Sequence, residues 1–282
     1  MSRGANIRRL AWATDIHLNF LRGDPGPFCE QLASAAPDGL VITGDISEAD
    51  TLDGDLALLD SRLWCPTWLV LGNHDFYNGS IRQVRKAVAA LCRRSRWLHY
   101  LPDADVVTLA ANTALVGHDG WADGRLGDYA GSDVMLNDYL MIEELAGLDA
   151  QARLARMNAL GDEAAAHFRH CLPAALQRHR RIIVATHVPP FREACWHDGR
   201  ITGDNFLPHF TCAAVGETLT TFMRRFPDHK TLVLCGHTHS PGTARILPNL
   251  LVRTGGAAYG RPGVVDVIDT GSVGADRSPA GS

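Results

Sequence analysis

Several apolar runs in this 282-residue chain end in side chains that can bind metal ions or move protons. The clearest is LVLGNHD at 69–75, where the apolar stretch stops at Gly72 and Asn73, His74 and Asp75 follow at once. An amide oxygen, an imidazole and a carboxylate directly after a buried strand are typical of α/β proteins whose chemistry lies at strand ends. Taken alone, the run is also compatible with an ordinary polar turn.

Other apolar runs end in the same kinds of side chain. Together, the polar residues at these strand ends are Asp15, His17, Asp45, Asn73, His74, His187, His237 and His239. Two pairs among them are spaced by two positions, so continued strand conformation would direct both members of a pair the same way. Carboxylates, imidazoles and an amide without a thiolate suit Mn, Fe, Zn or Co. They are too many for one ion, whereas two ions that share a carboxylate would use them all.

An alternation of strands and helices must position these residues. The first hundred residues predict three strand-helix repeats, with strands at 10–14, 39–43 and 69–71 and helices at 27–36, 52–63 and 80–94. Repeats of this kind form a largely parallel sheet whose carboxyl ends share one edge.

The rest of the chain is less regular. We expect a hairpin with strands at 106–109 and 113–117, helices at 150–180 and 214–225, and strands at 181–186, 231–235, 250–253 and 264–268. The long helix should be interrupted near Gly161 or Pro173. The segments 118–148 and 191–212 are either surface excursions or a lid and specificity loops. We expect a single domain over 1–270 and a disordered tail at 271–282.

Composition narrows the class of protein. A net charge of −4, from 27 Lys+Arg and 31 Asp+Glu, gives no support for a long nucleic-acid partner. The 7 cysteines are scattered, without a C-x-x-C pair, which indicates free thiols in a reducing compartment. No signal-peptide core and no apolar run of about 18 residues is present, so we expect a cytoplasmic protein without a membrane partner.

The order of the motifs carries a family resemblance. D-x-H at 15–17, G-D at 44–45, G-N-H-D at 72–75, His187 and G-H-x-H at 236–239 resemble the calcineurin-like metallophosphoesterase superfamily. The five motifs span most of the chain, and the ordered set is far more specific than any one of them. The resemblance implies an α/β fold with two mixed β-sheets packed as a sandwich and flanked by helices.

The resemblance also assigns a metal ligand role to most of these side chains. One ion, expected to be Mn, Fe or Zn, would be held by Asp15, His17 and His239. The second ion would be held by Asn73, His187 and His237. Asp45 would bridge the two ions.

The remaining residues of the G-N-H-D motif receive catalytic roles from the resemblance. His74 would face the substrate phosphate, and Asp75 would hydrogen-bond His74 and orient it. The implied activity is hydrolysis of a small phosphomonoester or phosphodiester by a metal-bridging hydroxide, with His74 stabilising charge or protonating the leaving oxygen.

Departures from the family pattern separate its branches. Serine/threonine protein phosphatases carry an arginine motif after the bridging aspartate and a glutamate after the catalytic histidine. Here 46–50 contain no arginine, and Asp75 follows His74, so the chain is more similar to the bacterial phosphodiesterase and phosphohydrolase branch. A nuclease or a protein phosphatase remains an alternative within the enzyme class. Outside it, the alternative is a non-catalytic scaffold or binding protein, although scaffold relatives lack the histidine. The substrate and the oligomeric state stay open, and His118, His197 and His209 match no ligand motif.

Overall fold

A computed structural model describes residues 6–21 and 24–273, and two β-sheets dominate it. The first sheet consists of β1 (Arg9–Ala13), β2 (Gly39–Thr43), β3 (Thr67–Val70), β4 (Leu98–Tyr100) and β13 (Asp266–Asp269). Its strand order is β13-β1-β2-β3-β4, in which β1 to β4 are parallel and β13 is antiparallel to β1. The predicted strand-helix repeats therefore form the expected parallel sheet.

The second sheet is built from the later strands. These are β5 (Val107–Ala110), β6 (Thr113–Gly117), β7 (Arg181–Ala185), β10 (Lys230–Cys235), β11 (Gly242–Leu247) and β12 (Leu250–Thr254). Their order is β11-β12-β10-β7-β6-β5, with four parallel central strands and an antiparallel strand at each edge. A separate two-stranded hairpin joins β8 (Trp196–His197) to β9 (Arg200–Ile201).

The longer helices cover the outer faces of both sheets. They are α1 (Gly26–Ala35), α2 (Leu52–Arg62), α3 (Ile81–Cys92), α5 (Ala150–Arg178) and α7 (Ala213–Arg225). The four-residue helices α4 (Asp138–Met141) and α6 (Leu207–Phe210) lie in the two irregular segments. One apolar cluster joins the inner faces of the two sheets, through residues such as Trp12, Trp68 and Ile183. A second cluster packs their outer faces against the helices. The two sheets thus form the expected sandwich, and strands buried on both faces explain the continuous apolar runs in the sequence.

The long helix differs from its prediction. α5 runs without interruption through Gly161 and Pro173, so the predicted break was wrong. A Cβ at Gly161 would lie 2.5 Å from Cβ of Asp123, so this glycine permits close packing rather than a break. Around Pro173, the buried side chains of Leu172 and Leu176 pack into the hydrophobic core. Tertiary packing thereby offsets the hydrogen bond that proline cannot donate.

Four strands escaped prediction. β4 has only three residues and β8 and β9 have two each, too few to show an alternation. β11 lies at a sheet edge and has one buried residue among its six. At the carboxyl end, residues 270–272 form a 3₁₀ turn, while most of the predicted tail, 274–282, lies outside the described residues. None of the described helices is long and apolar enough to cross a bilayer.

Candidate metal centre

The polar strand ends predicted from the sequence meet at one edge of the sandwich. β1, β2 and β3 reach this edge from the first sheet, and β7 and β10 reach it from the second. Backbone hydrogen bonds fix their registers beyond the strands, since Asp15 N donates to Gly44 O and Gly236 N donates to His187 O. Parallel strand ends therefore bring motifs from distant parts of the chain into contact.

Four of the predicted ligands form a first group. One nitrogen or oxygen atom from each of Asp15, His17, Asp45 and His239 lies within 4.8 Å of the other three. The Nε2 atoms of His17 and His239 are 3.2 Å apart. Nε2 of His239 is 3.3 Å from Oδ1 of Asp15, and Nε2 of His17 is 3.9 Å from Oδ2 of Asp45.

The remaining predicted ligands form a second group beside the first. Oδ1 of Asn73 lies 3.0 Å from Nε2 of His187 and 2.9 Å from Nδ1 of His237. Nε2 of His187 is also 3.3 Å from Oδ1 of Asp45. Asp45 therefore directs one carboxylate oxygen to each group, as a bridging ligand would.

The donor chemistry of the second group fits a cation. Nδ1 of His187 is 2.8 Å from the carbonyl oxygen of Thr43, which can only accept, so Nδ1 carries the proton and a neutral ring leaves Nε2 with a lone pair. The amide nitrogen of Asn73 donates to Asp138 at 2.9 Å, which leaves Oδ1 of Asn73 facing that lone pair. Two acceptors at this distance repel one another unless a cation or a proton lies between them.

Two imidazoles of the centre are made more basic by carboxylates. Burial opposes protonation of His187, but the charge of Asp45 outweighs it and raises the pKa of His187 to about 10. The pKa of His239 is raised as well, because its hydrogen bond with Asp15 outweighs burial. Burial likewise opposes ionisation of Asp45, yet the charges of His187 and His74 hold the pKa of Asp45 well below its usual value. The carboxylates are thus anionic and attract cations.

The other two imidazoles stay neutral. Burial lowers the pKa of His17 to about 4 and the pKa of His237 to about 3. A neutral imidazole keeps a lone pair for a metal ion. The centre therefore combines anionic carboxylates with imidazoles that are either neutral or need to lose only one proton.

The backbone at these ligands is strained. Asp15, His17, Asp45, His237 and His239 have positive φ values of 49°, 41°, 51°, 72° and 54°. For residues with a Cβ, this left-handed conformation costs about 1–2 kcal/mol each. The ligands thus lie on turns beyond the strands. The prediction that continued strand conformation directs both members of a pair the same way was therefore wrong. The surrounding fold, rather than local preference, holds the ligand backbone.

Glycines precede several ligands because side chains from other motifs come very close. A Cβ at Gly72 would lie 2.1 Å from Oδ1 of Asp45. Gly44 has a φ of 89°, and a Cβ there would lie 2.6 Å from Nδ1 of His187. Any larger residue at either position would displace a ligand of a neighbouring motif.

Asp75 has a different role from the predicted one. Its Oδ1 accepts hydrogen bonds from the backbone N–H groups of Ile46 and Ser47, and its Oδ2 accepts one from Gly72, each at 2.8 Å. Among the described residues no hydrogen bond joins Asp75 to His74, and the buried Nδ1 of His74 has no partner. The prediction that Asp75 orients His74 directly was therefore wrong. Asp75 instead ties the loop after β2 to the turn after β3.

His74 lies beside the ligands. Its backbone N–H donates to Oδ1 of Asp45 at 2.9 Å, and its ring centroid is 4.8 Å from that of His17. The ring lines a pocket of about 430 Å³ that opens over the centre. This position leaves the imidazole free to meet a ligand in the pocket.

Both irregular segments contribute to this pocket. The segment 118–148 supplies residues 135–138, and the segment 191–212 supplies residues 195–197, Thr202, Phe206 and Phe210. Tyr259 closes the pocket from the second half of the chain. Whether either segment moves as a lid stays a prediction.

Three histidines without a motif are placed differently. His197 is exposed and lines the pocket. His118 and His209 are buried. His118 lies beside His167, and His209 lies 2.5 Å from the hydroxyl of Tyr139.

Sequence reasoning missed residues that support the centre. Asp119 is fully buried and accepts hydrogen bonds from Leu71 N, from Nε of Arg85 and from the hydroxyl of Tyr100, at 2.7–2.8 Å. Its backbone oxygen accepts from His187 N, so it connects the two sheets directly beside the second ligand group. The signal that could have identified Asp119 in the sequence is a carboxylate just after β6 and next to a glycine.

Comparison with known proteins agrees with the geometry. A family model described as calcineurin-like phosphoesterase matches residues 8–241. The chain belongs to this family. The family is metal-dependent, and the cluster of aspartate and histidine side chains lies where a metal ion could bind.

Solved structures show the same fold at low identity. The phosphopantetheinyl hydrolase PptH from Mycobacterium tuberculosis is 17% identical with a TM-score of 0.62, over 91% of each chain. A dimetal phosphatase from Danio rerio is 17% identical with a TM-score of 0.54, over 92% of this chain and 88% of that one. The protein TT1561 of Thermus thermophilus is 12% identical with a TM-score of 0.53, over 94% and 95%. A search of curated proteins found no match.

Proposed function

We propose that this phosphoesterase hydrolyses a small phosphomonoester or phosphodiester with two metal ions. The observation that carries the proposal is the convergence of predicted ligands into two groups that share Asp45. The first ion would be held by Asp15, His17, Asp45 and His239. The second ion would be held by Asp45, Asn73, His187 and His237. Mn, Fe and Zn suit these oxygen and nitrogen ligands.

Each kind of side chain has a distinct task in the proposed reaction. Two metal ions bound here would supply positive charge that neutralises phosphoryl oxygens and lowers the pKa of a water molecule. Thr43 holds the His187 ring through its carbonyl oxygen, and Asp138 holds the Asn73 amide, so both ligands are oriented before substrate arrives. The backbone N–H of His74 fixes Asp45 in turn.

His74 is proposed as the catalytic side chain that touches substrate. It reaches the pocket without belonging to either ligand group. From there it can donate a hydrogen bond to a phosphoryl oxygen or a proton to the leaving oxygen. Since His74 would bind no metal, its removal should spare the ions.

Hydrolysis by metal-reconstituted protein tests the proposal. We expect chelator-treated protein to regain turnover of bis-p-nitrophenyl phosphate or p-nitrophenyl phosphate when Mn²⁺, Fe²⁺ or Zn²⁺ is added, and most with Mn²⁺. His74→Ala should lose about 10²–10⁴-fold in kcat while elemental analysis still finds both ions. His170→Ala, which removes a largely exposed histidine of α5, is the matched control.

Two outcomes would contradict the proposal. If protein with both ions bound hydrolysed no phosphoester of a broad panel, the chain would be a scaffold. If His74→Ala lost an ion, His74 would be a ligand. We also propose a cytoplasmic location, which the free and buried state of all seven cysteines supports.

A further inference from the structure

The pocket above the metal centre has an aromatic wall on each side. The ring of Phe210 lies 4.8 Å from that of His237, and Phe206 lies 6.2 Å farther along the same wall. On the other side, Tyr259 lies 4.6 Å from the ring of His17 and 4.9 Å from that of His239. A substrate phosphate at the ions would thus place its organic group between aromatic rings.

The mouth of the pocket is apolar as well. Met135, Phe206 and Tyr259 are 61%, 42% and 50% exposed, although large apolar side chains are usually covered. They line the same pocket and thus place exposed apolar side chains beside the proposed catalytic histidine. Aromatic rings at such a surface favour flat or apolar ligand groups through stacking and burial.

The charges of the side chains that line the pocket disfavour an anionic group on the organic part of the ligand. No lysine or arginine is found among the described residues that line it. Its one carboxylate belongs to Asp138, which is buried and engages Asn73 and Tyr77 through Oδ1. Apart from histidines, the described residues that line the pocket offer no cationic side chain, so an additional anionic group on the substrate would leave water without a lysine or arginine partner and would lie near this carboxylate.

From these walls and charges, we infer that the pocket selects phosphoesters with a single phosphoryl group and an uncharged, aromatic or apolar organic part. The inference rests on the proposed function and adds the substrate class. Nucleoside polyphosphates and phosphorylated sugar acids would be poor substrates. Neutral aryl or alkyl phosphoesters would be good ones.

A pair of isosteric substrates tests the inference. Bis(p-carbamoylphenyl) phosphate and bis(p-carboxyphenyl) phosphate differ only in the charge of the ring substituent, and their symmetry makes the direction of binding irrelevant. After correction for the uncatalysed rates, we expect the Mn²⁺-loaded protein to prefer the neutral diester at least about tenfold in kcat/KM, which corresponds to one anion without a partner.

A positive charge introduced at Phe206 in the pocket is compared with the same charge introduced outside the pocket. Phe206→Lys puts an ammonium at the exposed edge of the wall and should lower the preference for the neutral diester at least about threefold. Ile201→Lys adds the same charge to β9 at a residue with similar exposure that does not line the pocket. This control should keep the wild-type preference, and both variants should keep wild-type metal content.

The outcomes separate the two proposals. Hydrolysis of both diesters at similar rates, or a preference for the anionic one, would overturn the inference and leave the proposed function standing. An equal shift in Phe206→Lys and Ile201→Lys would also overturn it, because the pocket wall would not be the origin of the selectivity. If neither diester were hydrolysed by the metal-loaded protein, the proposed function would fail and the inference with it.

Discussion

Two regions that face each other across the pocket are built in opposite ways. The ligand edge, which comprises residues 14–17, 44–47, 72–75, 187 and 236–239, is mostly buried and follows directly from central strands. The pocket wall, which comprises residues 135–137, 195–197, Thr202, Phe206, Phe210 and Tyr259, lies in the connections between the strands of the two main sheets and includes exposed apolar side chains. The ligand edge carries backbone strain and cross-linking hydrogen bonds, and positive φ values are rare in the wall.

The difference separates the proposed chemistry from selectivity. Metal ligands must hold their positions closely, so strained turns are tolerated only where strands, glycines and buried carboxylates determine them. A wall in irregular connections can change its side chains without disturbing that edge. Substitutions at the ligand edge should therefore affect metal binding and turnover, and those in the wall should affect substrate preference alone.

The bridging carboxylate offers the strongest test of the ligand edge. Asp45→Asn removes the negative charge that faces both ligand groups, so we expect loss of at least one ion and a fall in kcat of at least about 10³-fold, or about 4 kcal/mol. Elemental analysis and phosphodiester hydrolysis measure both effects. Full metal content with normal turnover would remove Asp45 from the proposed centre.

The pH dependence of metal binding tests the electrostatics of the same edge. The pKa of His187 is raised to about 10, so this imidazole carries a proton in the metal-free protein at pH 7 and must lose it to bind an ion. Lowering the pH by one unit should then weaken binding of the two metal ions by at least about tenfold, from one released proton. Calorimetric titration in buffers of different ionisation enthalpy counts the protons. Binding without proton release would contradict the assigned charges.

The buried carboxylate of Asp75 tests how the edge is held together. Asp75→Asn replaces an acceptor oxygen by an amide group that cannot accept from a backbone N–H, so we expect a loss of about 1–3 kcal/mol in the free energy of unfolding. Urea unfolding measures it, with Asp228→Asn at an exposed site as the control. Unchanged stability with a loss of turnover like that of His74→Ala would instead restore the direct orienting role predicted from the sequence.

The smallest effect is expected in the wall. Met135→Ala changes a side chain that is 61% exposed, so the free energy of unfolding should shift by less than about 0.5 kcal/mol. Metal content should stay the same, and only KM for an aromatic diester should rise. Loss of ions in this variant would show that wall and ligand edge are coupled and would break the comparison.

The amino-acid sequence by itself determined the strand ends and the ligand types, and the resemblance carried by its motifs implied the fold class. Apolar periodicity is local, and the five motifs lie directly after predicted strands, of which the first three form strand-helix repeats. For this reason, the residues of both ligand groups were predicted before their positions were known, as was the hairpin between β5 and β6.

Only the tertiary structure decided which residues meet and how they are supported. His237 N donates to Asp15 across 222 positions of the chain, a contact that no local pattern encodes. The backbone role of Asp75, the connection through Asp119 and the continuity of α5 likewise depend on packing between distant elements. Local preference sets where strands begin and end, whereas strained turns, buried carboxylates and pocket walls exist because long-range contacts stabilise them.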